Sequence, residues 1–268
     1  MNIPNLNIAV LQTDIVWKDI KTNLDRYGKI IAGIDKPTDL IVLPEMFNTG
    51  FCTQPHDIAE TADGYTFEWM ADIAQKTLAV VTGSVILQQN NNYYNALVWM
   101  KPNGLYSLYL KKHLFSVSNE DKYITSGKEK IIEDILGWKI CPLICYDLRF
   151  PVWSKNTYKD GKYEYDVLVY VANWPQARAH VFRKLLQARA IENLAYAVGV
   201  NRVGTDGNKL YYSGNSAVID FKGNYMHEIK SEKEDVIISY LDYKQLDSFR
   251  KNFNVGADWD NFTINNKK

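Results

Sequence analysis

Residues 39–45 have the sequence Asp39-Leu40-Ile41-Val42-Leu43-Pro44-Glu45, an apolar run of strand length that ends at a proline and is followed by a carboxylate. Before it, Leu6 to Leu11 is a second strand candidate, and Lys18 to Ile34 carries apolar residues at helical spacing. After it, Tyr65 to Leu78 shows the same helical spacing, and Ala79 to Leu87 is a third apolar run. This first part of the chain is therefore predicted to alternate strand and helix, which is typical of an α/β protein.

The rest of the chain continues this alternation but interrupts it with hairpins. Turn sequences at residues 88–92, 102–104 and 221–224 separate short apolar runs. The order predicts a layered α/β protein with mixed sheets and not a barrel of eight equal units. Further strands are predicted at Tyr93–Met100, Leu105–Leu110, Trp138–Cys145, Asp166–Ala172, Ala195–Val200, Ser216–Asp220, Tyr225–Ile229 and Val236–Leu241, and further helices at Arg178–Leu194 and Tyr243–Phe253.

Length and composition predict one globular domain over residues 1–268. Of the 268 residues, 46% are hydrophobic and 23% are charged, which is enough apolar material for a large core and excludes disorder as the main state. No fixed-period repeat and no Pro/Gly-rich linker divides the chain. After about residue 243 we expect a helix followed by a loose tail.

Charge and hydropathy argue against two classes of partner. The 31 basic residues balance 31 acidic ones, so the chain lacks the electrostatic footprint expected for nucleic acid or an anionic membrane. No run of 18 apolar residues predicts a membrane span, and the N-terminal residues lack the pattern of a signal peptide. The three cysteines, Cys52, Cys141 and Cys145, are too few for a disulfide framework, which predicts a reducing compartment and a cytoplasmic protein.

Reactive side chains follow three of the predicted strands. Glu45 follows Pro44, the segment Lys111-Lys112-His113 follows the strand that ends at Leu110, and Cys145 ends an apolar run with polar residues after it. The ends of strands are where α/β proteins place their sites. Each feature also has a structural interpretation: a surface glutamate, a solvated basic turn, and a buried cysteine that acts as a small hydrophobe. Cys141 fits that last interpretation better than Cys145, because it lies deeper in the strand.

A nucleophilic cysteine needs a base and a donor for the oxyanion. Pro151 could start a helix whose amide dipoles favour a thiolate at Cys145. The base could be His113, as in a Cys–His hydrolase, or it could be Glu45 with Lys111 as the oxyanion donor. Spacing alone does not bring these residues together. A metal site of Cys141, Cys145 and His113 is disfavoured, because the cysteine spacing is poor for zinc and a fourth ligand is missing.

Several motifs occur in an order that resembles the nitrilase superfamily, the carbon–nitrogen hydrolases. The resemblance extends from Ile8 to about Leu241 and implies an α/β fold, the four-layer α-β-β-α sandwich, and a homodimer that pairs across a helix face. The string from Tyr146 to Phe150 is most similar to the bacterial omega-amidase branch. The motifs are Leu43-Pro44-Glu45, Lys111-Lys112-His113-Leu114-Phe115, Cys145-Tyr146-Asp147-Leu148-Arg149-Phe150-Pro151, Asn173-Trp174-Pro175, Arg189-Ala190-Ile191-Glu192-Asn193, Asn201-Arg202-Val203-Gly204 and Tyr212-Ser213-Gly214-Asn215-Ser216.

The resemblance implies a role for each matched residue. Cys145 would be the nucleophile and Glu45 the general base. Lys111 and the backbone N–H of Tyr146 would stabilise the oxyanion, and Glu120 would be a second glutamate that orients the lysine and the substrate. The implied reaction passes through a cysteine thioester and needs no metal or organic cofactor.

The omega-amidase branch implies a small-molecule amide substrate, such as 2-oxoglutaramate or succinamate, and a possible place in methionine salvage. The carboxylate of such a substrate needs a cation, for which Arg149 is the first candidate and Arg202 the second. Phe115 and Trp174 are candidates for the pocket walls, although a structural arginine and core aromatics are the alternatives.

Other functions of the same fold stay open at this point. The chain could instead be a deaminated glutathione amidase, an N-carbamoyl-amino-acid hydrolase or a nitrilase. It could also be a non-catalytic binding module, but the presence of Glu45, Lys111 and Cys145 argues against that.

Overall fold

The computed structural model of the chain describes residues 3–229 and 232–265. The helices are α1 (Ile20–Ala32), α2 (Tyr65–Thr77), α3 (Pro151–Ser154), α4 (Ala179–Asn193) and α5 (Tyr243–Asn252). The strands are β1 (Leu6–Gln12), β2 (Leu40–Val42), β3 (Val80–Gln89), β4 (Asn92–Met100), β5 (Tyr106–Leu110), β6 (Glu133–Ile135), β7 (Trp138–Ile144), β8 (Tyr158–Lys159), β9 (Lys162–Tyr163), β10 (Val167–Ala172), β11 (Tyr196–Asn201), β12 (Val203–Thr205), β13 (Tyr211–Ser213), β14 (Ala217–Ile219), β15 (Tyr225–Glu228) and β16 (Asp235–Leu241).

Two six-stranded sheets form the centre of the molecule. The first sheet has the order β16-β1-β2-β3-β4-β5, and the second sheet has the order β15-β14-β11-β10-β7-β6. In each sheet three central strands are parallel and the outer strands pair antiparallel. The predicted mixed sheets are therefore confirmed, and there are two of them.

Alternating side chains of β1 show how the layers stack. Leu6, Ile8 and Val10 belong to a core cluster shared with the second sheet and α4, whereas Ala9 and Leu11 pack with α1 and α2. Successive strand residues point to opposite faces, so one strand serves both cores. The layer order is helix, sheet, sheet, helix, which confirms the predicted α-β-β-α sandwich.

The long elements agree with the sequence prediction, and the differences are local. The strand predicted to reach Cys145 ends at Ile144, because Cys145 begins a 3₁₀ turn that extends to Arg149. The helix predicted to start at Pro151 has only four residues and follows this turn. Its amides therefore do not begin next to the thiol, which corrects that part of the prediction. The last residues of the predicted tail, 266–268, lie outside the described residues.

Within residues 3–229 and 232–265, none of the helices combines the length and the apolar character needed to cross a membrane.

Candidate active site

The site forms where four strand ends meet. Glu45 follows β2, Lys111 follows β5, Cys145 follows β7 and Asn173 follows β10. The first two strands belong to the first sheet and the other two to the second sheet. The packing of one sheet on the other therefore brings together residues that are up to 128 positions apart in the chain.

The nucleophile candidate Cys145 lies at a sharp change of backbone direction. Its φ is 39°, in the left-handed region that residues other than glycine rarely adopt. The next turn is held by Asp147, whose Oδ2 accepts the Ile144 backbone N–H at 3.1 Å. Such backbone strain is characteristic of functional positions. The Cys145 side chain lines a mostly apolar cavity at these strand ends, with a volume of about 330 Å³.

Glu45 is fully buried and both of its carboxylate oxygens are hydrogen-bonded. Oε1 accepts from Lys111 Nζ at 2.8 Å and from Asn95 Nδ2 at 2.9 Å. Oε2 accepts from the Asn173 backbone N–H at 2.9 Å, and the Asn173 side chain also donates to the Glu45 carbonyl. The carboxylate is therefore held in one orientation, close enough to Cys145 to raise the pKa of its thiol, while the Cys145 Sγ itself points to the Asn173 carbonyl at 3.9 Å.

Lys111 links the two glutamates. Its ammonium donates to Glu45 at 2.8 Å and to the two oxygens of Glu120 at 3.1 and 3.0 Å. Burial acts to lower the pKa of Lys111, but the carboxylates of Glu120 and Glu45 outweigh it and hold the pKa above its ordinary value. The ammonium therefore stays charged, as an oxyanion donor must.

The thiol of Cys145 is protonated at rest. Burial is the largest cause that raises its pKa, and the nearby Glu45 carboxylate raises it further, against the opposing effect of Lys111. The thiol proton must therefore pass to a base as the sulfur attacks, and the Glu45 carboxylate lines the same cavity as the thiol.

The two remaining members of the cluster are asparagines, neither of which was assigned a role from the sequence. Asn95 lies within β4 and donates through Nδ2 to Glu45 at 2.9 Å and to Glu120 at 3.2 Å. Asn173 orients Glu45 as described above. The sequence signal for Asn95 is weak, because it is one polar residue at the start of an apolar run.

The imidazole of His113 contacts Asp147 and Phe150. Its Nδ1 lies 2.8 Å from Asp147 Oδ1, and its ring stacks on Phe150 at a centroid distance of 3.7 Å. Asp147 also accepts from the Tyr109 hydroxyl at 2.7 Å. This network ties the segment after β5 to the turn that carries Cys145. Glu45 lines the cavity that contains Cys145, whereas His113 does not.

The cavity wall contains aromatic and cationic side chains. Phe115, Trp174 and Tyr146 line it, and Arg149 lies over the Trp174 ring at 4.9 Å. A further arginine, Arg178, lines the same cavity and was not singled out in the sequence. The structure therefore gathers Glu45, Lys111 and Cys145 beneath a wall that can hold an anion.

The structure corrects the prediction that Arg202 binds substrate. Arg202 is fully buried and is not part of the cavity wall. Its Nη2 donates to Asp14 Oδ1 at 2.6 Å and to the Ile15 carbonyl at 3.1 Å. The side chain joins the residues after β1 to the residues after β11, which is a structural role.

Comparison with known proteins gives a consistent result. The family model described as carbon-nitrogen hydrolase matches residues 7–251. The chain is 38% identical to the omega-amidase YafV of Escherichia coli K12 over 262 residues, which are 98% of this chain and 100% of that protein. It is 30% identical to a 2-oxoglutaramate amidase of Bacillus subtilis over 254 residues, which cover 94% of this chain and 96% of that protein.

Solved structures agree with the fold. A crystal structure of XC1258 from Xanthomonas campestris, a CN-hydrolase superfamily protein with an arsenic adduct in the active site, matches with a TM-score of 0.95 and 40% identity. That match covers 98% of this chain and 100% of the other. Nit3 of Saccharomyces cerevisiae matches with a TM-score of 0.79, 23% identity and coverage of 93% and 94%, which supports the fold alone.

Proposed function

The chain belongs to the carbon–nitrogen hydrolase family and is an amidase, and from this membership we propose that it cleaves the terminal amide of small omega-amido acids through a thioester on Cys145. The observation that carries the proposal is the cluster in which Glu45 is hydrogen-bonded to the Lys111 ammonium and lines the same cavity as the Cys145 thiol, whose pKa it raises. Carboxylate, ammonium and thiol supply the base, the oxyanion donor and the nucleophile of an acyl transfer.

In the first half-reaction Glu45 takes the thiol proton while the sulfur attacks the amide carbon. The oxyanion of the tetrahedral intermediate is stabilised by Lys111 and by the backbone N–H of Tyr146, the residue that follows the nucleophile. Glu45 returns the proton to the leaving nitrogen, so ammonia departs and the acyl group stays on sulfur. Because the pKa of Lys111 is raised, the lysine remains a donor and does not compete for this proton.

In the second half-reaction Glu45 removes a proton from water, which attacks the thioester carbon. The carboxylic acid leaves and the thiol is restored. Glu120 is bonded to Lys111 and to the Phe115 backbone N–H, at 2.6 Å, so it keeps the lysine aligned through both steps.

The substrate class follows from the cation in the cavity and from the two named relatives. Arg149 provides donors for a carboxylate at the far end of the substrate, as in 2-oxoglutaramate and succinamate. Hydrolysis of 2-oxoglutaramate would remove the product of a glutamine transamination, which is the link to methionine salvage that we propose.

The substrate proposal is tested by ammonia release from a panel of nitrogen compounds. We expect 2-oxoglutaramate and succinamate to be hydrolysed with a higher kcat/KM than deaminated glutathione, N-carbamoyl amino acids and nitriles. The margin should be at least about tenfold over nitriles without a carboxylate, because a guanidinium–carboxylate contact contributes about that factor. If the kcat/KM is higher on any of those three, the omega-amide proposal is wrong and the preferred compound defines the substrate class.

We further propose that two copies of the chain pair across the helices of the second sheet. Large apolar side chains are exposed there, with Val152 of α3 exposed by 56% and Ile191 of α4 by 52%. The double change Val152→Asp and Ile191→Asp should convert a dimer of the 30.9 kDa chain to a monomer, as measured by light scattering.

Leu78, at the C-terminus of α2, is the matched control for the dimer. It is exposed by 79% on the side of the first sheet, so Leu78→Asp should leave the mass unchanged. A monomeric wild-type protein at micromolar concentration would contradict the proposed pairing.

A further inference from the structure

The arginines of this chain divide into two groups. There are seven, and five of them form ion pairs with carboxylates at 2.5 to 2.9 Å. The other two, Arg149 and Arg178, both line the cavity above Cys145. In the part of the chain that the structure describes, no hydrogen bond or ion pair occupies either of their guanidinium groups.

Each of these two guanidinium groups is supported by an aromatic ring. Arg149 lies over Trp174 at 4.9 Å, and Arg178 lies over Phe115 at 5.4 Å. Stacking covers the face of a guanidinium and leaves its N–H edge free to donate. Both arginines are half-buried, and a partly desolvated cation without a partner carries a cost that an anion would relieve.

The acidic residues of the site are not available to these cations. Glu45 and Glu120 are fully buried and are already bonded to Lys111. The two guanidinium groups therefore offer more donors than one carboxylate can accept, since a single bidentate contact satisfies only one of them.

We propose that Arg178 is a specificity-determining residue, which selects substrates that carry a second acceptor oxygen beside the carboxylate. One guanidinium binds the carboxylate and the other binds an oxygen on the neighbouring carbon, as in an amide of a 2-oxo acid. A methylene at that carbon leaves one guanidinium unsatisfied. An ammonium there meets two cations and no free carboxylate, so omega-amides of 2-amino acids are rejected. This inference rests on the proposed function and refines its substrate class.

The test compares three amides that differ only at that carbon: 2-oxoglutaramate, glutaramate and glutamine. The wild type should rank them in this order by kcat/KM. Arg178→Ala should lower kcat/KM for 2-oxoglutaramate by about 10- to 100-fold, mainly through KM, and lower it much less for glutaramate. Arg178→Lys should restore part of the preference, because it returns the charge without the planar fork.

Arg183 provides the matched control, since it lies on α4, the helix that begins directly after Arg178. It pairs with Glu228 at 2.8 Å outside the cavity, so Arg183→Ala should keep the wild-type ranking. Equal losses on 2-oxoglutaramate and glutaramate in Arg178→Ala, or a wild type that does not distinguish them, would overturn the inference while the proposed function stands.

Calorimetric titration with 2-oxoglutarate separates the inference from catalysis. If none of the amides is hydrolysed, the proposed function fails, but binding of this acid still reports on the two arginines. Weakening of the affinity by about tenfold or more in Arg178→Ala supports the paired site. The same affinity in both proteins, or no binding to the wild type, overturns it.

Discussion

Replacing Glu45 with glutamine should abolish amide hydrolysis and at the same time make Cys145 easier to alkylate at neutral pH. Glutamine keeps the size of the side chain but cannot accept the thiol proton, so kcat should fall by at least about 10⁴-fold. The Glu45 carboxylate is also one of the causes that raise the pKa of Cys145, so its removal lowers that pKa while Lys111 remains nearby. More thiolate is then present at pH 7, and iodoacetamide should react faster.

The Cys145→Ala variant shows whether Cys145 is the cysteine that iodoacetamide alkylates. It should be equally inactive on amides but should lose the fast alkylation. Cys141→Ala is the matched control, since Cys141 lies in β7, the strand that leads to Cys145, is fully buried, and has a pKa raised to about 12 by burial. It should keep both activity and labelling. Slower alkylation in Glu45→Gln than in the wild type would contradict a role for Glu45 in holding the thiol protonated.

The long elements of the fold could be predicted because their apolar periodicity extends over many residues. The predicted helix Tyr65–Leu78 is α2, which ends one residue earlier, and the predicted strand Val236–Leu241 is β16, which starts one residue earlier. By contrast, β8 and β9 have two residues each, too few to show a period. That the two sheets stack face to face was implied by family resemblance and not by the local pattern.

For the site, too, local sequence patterns could be predicted and tertiary contacts could not. Glu45, Lys111 and Cys145 were identified because they follow strands and occur in ordered motifs. The sequence analysis named Arg202 as a candidate for substrate binding and did not name Arg178, although each is an arginine shortly after a strand. Only the tertiary structure separates them: one lines the cavity, and the other is buried against Asp14.

The position of Asn95 in the site could not be predicted from the sequence either. A strand residue alternates between the two faces of its sheet, so its environment depends on register. Asn95 pairs with Ile86 of β3, and its carbonyl accepts the Lys111 backbone N–H at 2.9 Å. That register places its amide between Glu45 and Glu120.

Lys111→Met should cost both activity and stability, and the loss of stability should grow with pH. Without the ammonium, two fully buried carboxylates keep only neutral donors, namely the Asn95 side chain and the backbone N–H groups of Asn173 and Phe115. Breaking a buried ion pair by removing one partner costs about 3–5 kcal/mol, which corresponds to a fall in Tm of roughly 6–20 °C. Loss of an oxyanion donor should lower kcat by about 10²- to 10³-fold in the protein that remains folded.

The direction of the pH effect follows from the shifts in the wild type. Burial, the largest cause, already raises the pKa of Glu120, and Lys111 is the main group that opposes this. In Lys111→Met the folded-state pKa must rise further, and a group whose pKa is raised on folding loses stability as the pH rises through that range. In the wild type the raised pKa of Lys111 keeps its contribution in place up to the alkaline range. The Tm deficit of the variant should therefore be larger at pH 8 than at pH 5.5.

Lys76→Met is the control that isolates burial in this comparison. Lys76 pairs with Asp72 at 2.7 Å on the surface of α2, where its side chain is exposed by 68%, and such pairs contribute little. Its Tm should stay close to that of the wild type at both pH values. A Lys111→Met deficit that is the same at pH 5.5 and pH 8 would mean that the lysine does not oppose the rise in the pKa of Glu120, and the electrostatic account of the site would be wrong.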